Sequence, residues 1–63
     1  VTTRERALRQ LAWRFDHARW LGTRETGVMP NTIDALVTRG LLEYAPPELR
    51  ERERRLLARR VAP

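Results

Sequence analysis

Pro30-Asn31-Thr32-Ile33-Asp34-Ala35-Leu36-Val37-Thr38-Arg39-Gly40-Leu41-Leu42-Glu43-Tyr44 is the stretch on which the fold of this 63-residue chain turns. Asn31 is placed to cap a helix, and Asp34 follows three residues later, where a carboxylate favours the positive end of the helix dipole. Ile33, Leu36 and Val37 recur at i, i+3 and i+4, so one face of that helix is apolar. Gly40 comes directly after Arg39, where a left-handed stop is wanted, and Leu41-Leu42-Glu43-Tyr44 suits the start of a strand. The segment therefore predicts a short capped helix, a glycine stop and an extended apolar run.

These residues resemble the recognition helix and first wing strand of bacterial winged helix-turn-helix proteins. There the order Thr-hydrophobic-x-x-Leu-hydrophobic-x-Arg-Gly-Leu-hydrophobic-Glu is frequent, and it runs here from Thr32 to Glu43. The resemblance covers Pro30 to Tyr44 and implies a DNA-binding module whose recognition helix enters the major groove. It implies that Asn31 and Thr32, at the helix N-terminus, meet phosphates or base edges. Thr32, Ala35, Thr38 and Arg39 fall away from the apolar face, and Arg39 has the reach for a phosphate or a guanine. Asp34 opposes groove insertion through its charge. The pattern also wants a helix before the recognition helix, and only Asp16 to Glu25 is free to supply it.

Toward the N-terminus, Thr2 or Thr3 is suited to cap a first helix. Leu8, Leu11, Ala12 and Phe15 form a clean stripe at i, i+3, i+4 and i+7 that Ala18 continues, so a helix from Arg4 to about Trp20 is predicted. The alternative is a break near Asp16, with a short second helix over His17 to Leu21. Trp13, His17 and Trp20 make a second stripe at i, i+4 and i+7. Two tryptophans are costly to expose, so both are expected to pack against the loop or the C-terminal helix; the alternative is a dimer or partner interface, where tryptophan is enriched. His17 reads as a structural hydrogen-bonding residue. Gly22 to Pro30 reads as a loop whose Val28 and Met29 are apolar enough to dock.

Beyond Tyr44, Ala45-Pro46-Pro47 ends the strand. Residues 48–63 carry strong helix formers, early glutamates and late arginines, which predicts a charged C-terminal helix started by the prolines. In the winged reading, Arg59 to Pro63 is instead a return strand and the charged run is the wing tip. On a helix, Glu48 with Arg52 and Glu51 with Arg55 are well-oriented i, i+4 pairs. Arg54, Arg55, Arg59 and Arg60 follow the last acid without local compensation, so they are candidate phosphate contacts. One domain is expected, with residues 1–45 as a helix-turn-helix-like core and 46–63 as a basic helix, wing or tail.

All 13 basic residues are arginine; against eight acids they leave a formal charge of +5. Arginine presents a planar fork of donors that grips phosphate or guanine, so double-stranded DNA is the expected partner, with a homodimer or protein partner as an addition. The chain has no cysteine, no serine and a single histidine. No glycine-rich phosphate loop or paired catalytic carboxylates appear, so neither an enzyme nor a cofactor or metal protein is expected. No stretch approaches the ~20 apolar residues of a membrane span, and a cytoplasmic location is expected.

The expected fold is mainly α, a three- to four-helix helix-turn-helix or degenerate winged helix, with a core of Leu8, Leu11, Ala12, Phe15, Leu21, Ile33, Leu36, Val37 and Leu41. The expected function is a small bacterial or phage DNA-binding protein, a transcriptional regulator or DNA-associated factor. The alternative is a winged-helix adaptor that binds a protein through Trp13 and Trp20.

Overall fold

The computed structural model describes residues 2–61, which form four helices and one antiparallel two-stranded ribbon. Their order is α1 (Thr3–Ala12), α2 (Thr23–Thr26), α3 (Pro30–Thr38), β1 (Leu42–Tyr44), α4 (Pro47–Glu53) and β2 (Ala58–Arg60). Helices take up about half of the chain. No helix of the described residues is long and apolar enough to cross a membrane.

The Thr2 hydroxyl caps α1 by accepting the Glu5 N–H at 3.2 Å. The helix stops at Ala12, eight residues short of the predicted end at Trp20. Trp13, Arg14 and Phe15 wind on through i→i−3 bonds of 3.1 Å to the carbonyls of Gln10, Leu11 and Ala12. Asp16 then turns its carboxylate onto the Ala18 N–H at 2.8 Å, a local bond that competes with helix continuation. Its carbonyl is taken by the Arg60 N–H at 2.9 Å. The alternative helix over His17 to Leu21 does not form either. Leu21 is extended and exchanges both backbone bonds with Ala58, at 2.9 and 2.8 Å.

α2 lies inside the segment predicted to be a loop. The Glu25 carboxylate reaches back to the Gly22 N–H at 2.9 Å, one half of a capping box. The buried Thr26 hydroxyl donates to the Gly22 carbonyl at 2.9 Å and accepts the Val28 N–H at 3.2 Å, so its polar atom is satisfied. Gly22 runs beside the chain that leads into β2. A Cβ there would come within 3.2 Å of the Leu56 carbonyl oxygen.

α3 begins at Pro30, whose missing N–H costs nothing in the first turn. Met29 therefore occupies the cap position, and Asn31, predicted as the cap, is the second helical residue and exposed. The C-terminus follows the prediction. Gly40, at φ 78°, donates to the Val37 carbonyl, and Leu41 donates to that of Leu36, the paired bonds of a Schellman motif.

β1 and β2 pair with Leu42 opposite Arg60, Glu43 opposite Arg59 and Tyr44 opposite Ala58. The predicted C-terminal helix is thus confined to α4. Arg54 adopts a left-handed conformation at φ 52°, and the chain returns as a strand. The predicted i, i+4 pair of Glu51 with Arg55 is lost, because Arg55 lies beyond the helix and pairs with Glu25. Nor is Glu48 paired with Arg52 among the described residues.

The core lies where α1, α3 and the ribbon meet: Ala12, Phe15, Val28, Ile33, Leu36, Leu42 and Ala58. Phe15, Ile33, Leu36 and Leu42 are its largest enclosed side chains, each worth about 1.5–3 kcal/mol of burial. Leu8, Leu11, Leu21, Val37 and Leu41, predicted as core, form its half-buried rim. Val28 docks as predicted, whereas Met29 is exposed.

Candidate nucleic-acid interface

Burial of Ile33 and Leu36 decides which side of α3 faces solvent. Asn31, Asp34 and Thr38 are exposed and Ala35 is half-buried, and their spacing places them on one helical face. Thr32 is half-buried beside the core stripe. Arg39 is exposed just past the last turn, where its Nη1 donates to the Ala35 carbonyl at 3.4 Å. Its remaining donors extend the polar face of the helix.

This face carries one acid. Asp34 accepts the Tyr44 hydroxyl at 2.8 Å, which ties the exposed side of α3 to β1. Burial first, and then the bond to Asp34, push the Tyr44 hydroxyl above its ordinary pKa. The Arg50 guanidinium lies 5.0 Å from the centre of the Tyr44 ring, and its Nε donates to the Ala45 carbonyl at 3.0 Å. Sequence reading missed Tyr44 as a positioning residue. Only the ten-residue separation of an acid and a phenol hints at it, and that spacing has no local meaning.

The four arginines predicted to be uncompensated divide differently. Arg55 pairs with Glu25, and Arg59 Nε donates to Glu43 at 2.6 Å from the facing position on β1. Arg60 Nε donates to the Phe15 carbonyl at 2.7 Å. Among the described residues only Arg54 of the four has neither an ion pair nor a side-chain hydrogen bond, and it is exposed. The prediction of a contiguous free basic end is therefore corrected, because the fold brings Glu25 of α2 beside Arg55 and strand pairing brings Glu43 beside Arg59.

Trp13, His17 and Trp20 do not form one stripe, since the helix that would align them ends at Ala12. The Arg59 guanidinium lies over Trp20 at 4.0 Å and that of Arg60 over Trp13 at 4.4 Å. Neighbouring strand residues project to opposite faces, so the two tryptophans sit against opposite sides of the ribbon. Trp20 is half-buried. Trp13 is 71% exposed, against the prediction that it packs inside. His17 is also exposed, with Nδ1 at 4.0 Å from Asp16. The Ala18 N–H, above all, holds the Asp16 carboxyl below its usual range.

Comparison with protein-family models, curated proteins and solved structures finds no match to this chain.

Proposed function

We infer that the chain is a duplex-DNA-binding module of the winged helix-turn-helix kind, a bacterial or phage regulator or DNA-associated factor. The observation that carries this reading is the free polar face of α3. Asn31, Thr38 and Arg39 are exposed and Ala35 is half-buried on the side of α3 away from the buried Ile33 and Leu36. Element order supports it: α2, a turn of three residues, α3, and then the β1–α4–β2 excursion, with Leu21 bridged to β2 as a rudimentary third strand. α3 enters the major groove, Arg39 grips a base edge or phosphate, and Arg54 lies at the tip of the excursion as a phosphate contact. Asp34 is tied to β1 by the Tyr44 hydroxyl and remains the one negative charge on this face. Arg55, Arg59 and Arg60 serve the fold first.

The test is a titration of the wild type and Arg39→Ala against a preferred duplex and a scrambled one at two salt concentrations. Wild-type affinity falls steeply with salt, and Arg39→Ala loses ~1–3 kcal/mol at the preferred site with less effect on the scrambled duplex. Absence of duplex binding by the folded wild type, or an unchanged affinity in Arg39→Ala, overturns the reading.

A further inference from the structure

Trp13 borders a depression that the DNA reading leaves unused. Ala12 of α1, Leu41 after α3 and Val61 after β2 line it with aliphatic surface, Trp13 forms a wall, and Arg9 and Arg60 stand at its rim; the cavity holds about 310 Å³. Trp13 and Val61 are 71% and 44% exposed, two of the large apolar side chains the fold leaves in solvent. A smaller hollow of about 160 Å³ shares Arg9 and Leu41 and continues the depression toward Arg39 and Glu5. The result is an aliphatic hollow with an aromatic wall and three guanidiniums around it against one carboxylate.

We propose that this hollow is a docking site for a short acidic segment of a partner protein, which inserts one large apolar side chain while its flanking carboxylates meet Arg9 and Arg60. Three features select that occupant. Charge complementarity is the first: the rim is cationic on a chain of net charge +5, so a second copy brings the wrong charge to the same place. Shape is the second, because a concave aliphatic floor accepts a branched or aromatic side chain. The chemistry of the lining is the third. The side chains of Ala12, Leu41 and Val61 carry no polar atom, so the group inserted between them is apolar, and its flanking charges fall to Arg9 and Arg60. Arg60 is already held by the Phe15 carbonyl and stacked on Trp13, so its charge is in place before the segment arrives. Arg39 borders the smaller hollow and also belongs to the polar face of α3, so peptide binding is read at Trp13, Leu41 and Val61, which lie in the larger hollow that Arg39 does not line.

The probe is the capped peptide acetyl-Asp-Glu-Leu-Phe-Glu-Asp-amide, with a control in which every acid is replaced by lysine. Binding to the whole chain is followed by NMR at the two tryptophan indole N–H signals and the backbone amides. The acidic peptide moves the Trp13 indole and the amides of Leu41 and Val61, leaves the Trp20 indole in place, and weakens as salt rises. Trp13→Ala weakens it by about tenfold or more, and Arg9→Glu by about fivefold, each without loss of helical circular dichroism. Because Trp13 and Arg9 are both exposed, neither variant threatens the core. The proposal is overturned if the lysine peptide binds as well, if the acidic peptide leaves Trp13 unmoved, or if Trp13→Ala binds undiminished. Movement of Trp13 by oligothymidylate and not by the peptide overturns it in favour of a nucleic acid. A dimer in sedimentation that Trp13→Ala abolishes overturns it in favour of a second copy.

Discussion

The Tyr44 hydroxyl donates to Asp34 Oδ1 across 2.8 Å, linking the first strand of the ribbon to the solvent-facing side of the helix before it. Gly40 ends α3 in a left-handed conformation just before β1, and this bond ties the two elements together a second time. It also occupies the one acid on the helix face read here as the DNA-contacting surface.

Tyr44→Phe removes the bond and keeps the ring under Arg50. The expected loss of stability is about 0.5 kcal/mol, the low end for a hydrogen bond because the pair is exposed. The wild-type hydroxyl titrates above its ordinary value of 10.0 in the folded state, so its contribution is complete below that value and is lost as pH rises through the raised one. Urea unfolding between neutral pH and pH 11 therefore falls more gently in Tyr44→Phe. Equal slopes would show that the bond does not hold in solution.

Glu25 works at the other end of the pH scale. The Gly22 N–H, and then Arg55, hold its carboxyl below the ordinary 4.5. Its contribution is present above that value and is lost as pH falls through the lowered one; Asp16 behaves likewise. Glu25→Gln keeps an oxygen for the Gly22 N–H but no charge, so its melting temperature at neutral pH is lower and drops less on acidification. The comparison is thermal melts from pH 6 to pH 2.

Arg54 tests strain and contact together. Its left-handed backbone costs a side chain about 1–2 kcal/mol that glycine avoids, while glycine adds entropy to the unfolded chain. Arg54→Gly is thus expected to gain about 0.5–1 kcal/mol in denaturant unfolding. The same variant is expected to bind duplexes more weakly regardless of sequence, with a shallower salt dependence. Stability rising as affinity falls identifies a residue retained for contact.

Arg60→Ala is expected to act on the fold. It removes the bond to the Phe15 carbonyl and the stack on Trp13, a loss of about 1–2 kcal/mol. Circular dichroism melting reads the loss, and tryptophan emission reports the altered surroundings of Trp13. Unchanged stability with weaker DNA binding would return Arg60 to the phosphate-contacting set.

What was legible in the sequence lay close together along it. Pro30, the Ile33-Leu36-Val37 spacing and Gly40 each act within one or two turns, and α3, its stop and β1 appeared where those residues put them. Distant partners decided the rest. The stripe through Phe15 and Ala18 promised a longer first helix, but Arg60 claims the carbonyls of Phe15 and Asp16 from 45 and 44 positions away. Helix propensity in residues 54–60 gave way to pairing with β1, through a return strand that the winged alternative began at Arg59 and the structure places at Ala58–Arg60. α2 went unseen because glycine precedes it instead of a capping side chain, leaving Glu25 as the only signal. At the candidate interface, Arg39 and Arg54 were found from charge and position, while the Tyr44–Asp34 bond and the two arginine–tryptophan stacks exist only in three dimensions.

The bridge between Leu21 and Ala58 has a consequence for biosynthesis. During translation the first helix, α3 and β1 are all synthesised before Ala58 is made. Until then Leu21 has two backbone groups with no strand to meet them, and Phe15 and Asp16 lack the arginine that closes over their carbonyls. A chain lacking residues 58–60 leaves Leu42 without its strand partner and the Phe15 carbonyl without Arg60. Folding of this module therefore waits on residues 58–60, so a segment late in the sequence closes a core begun by its first helix.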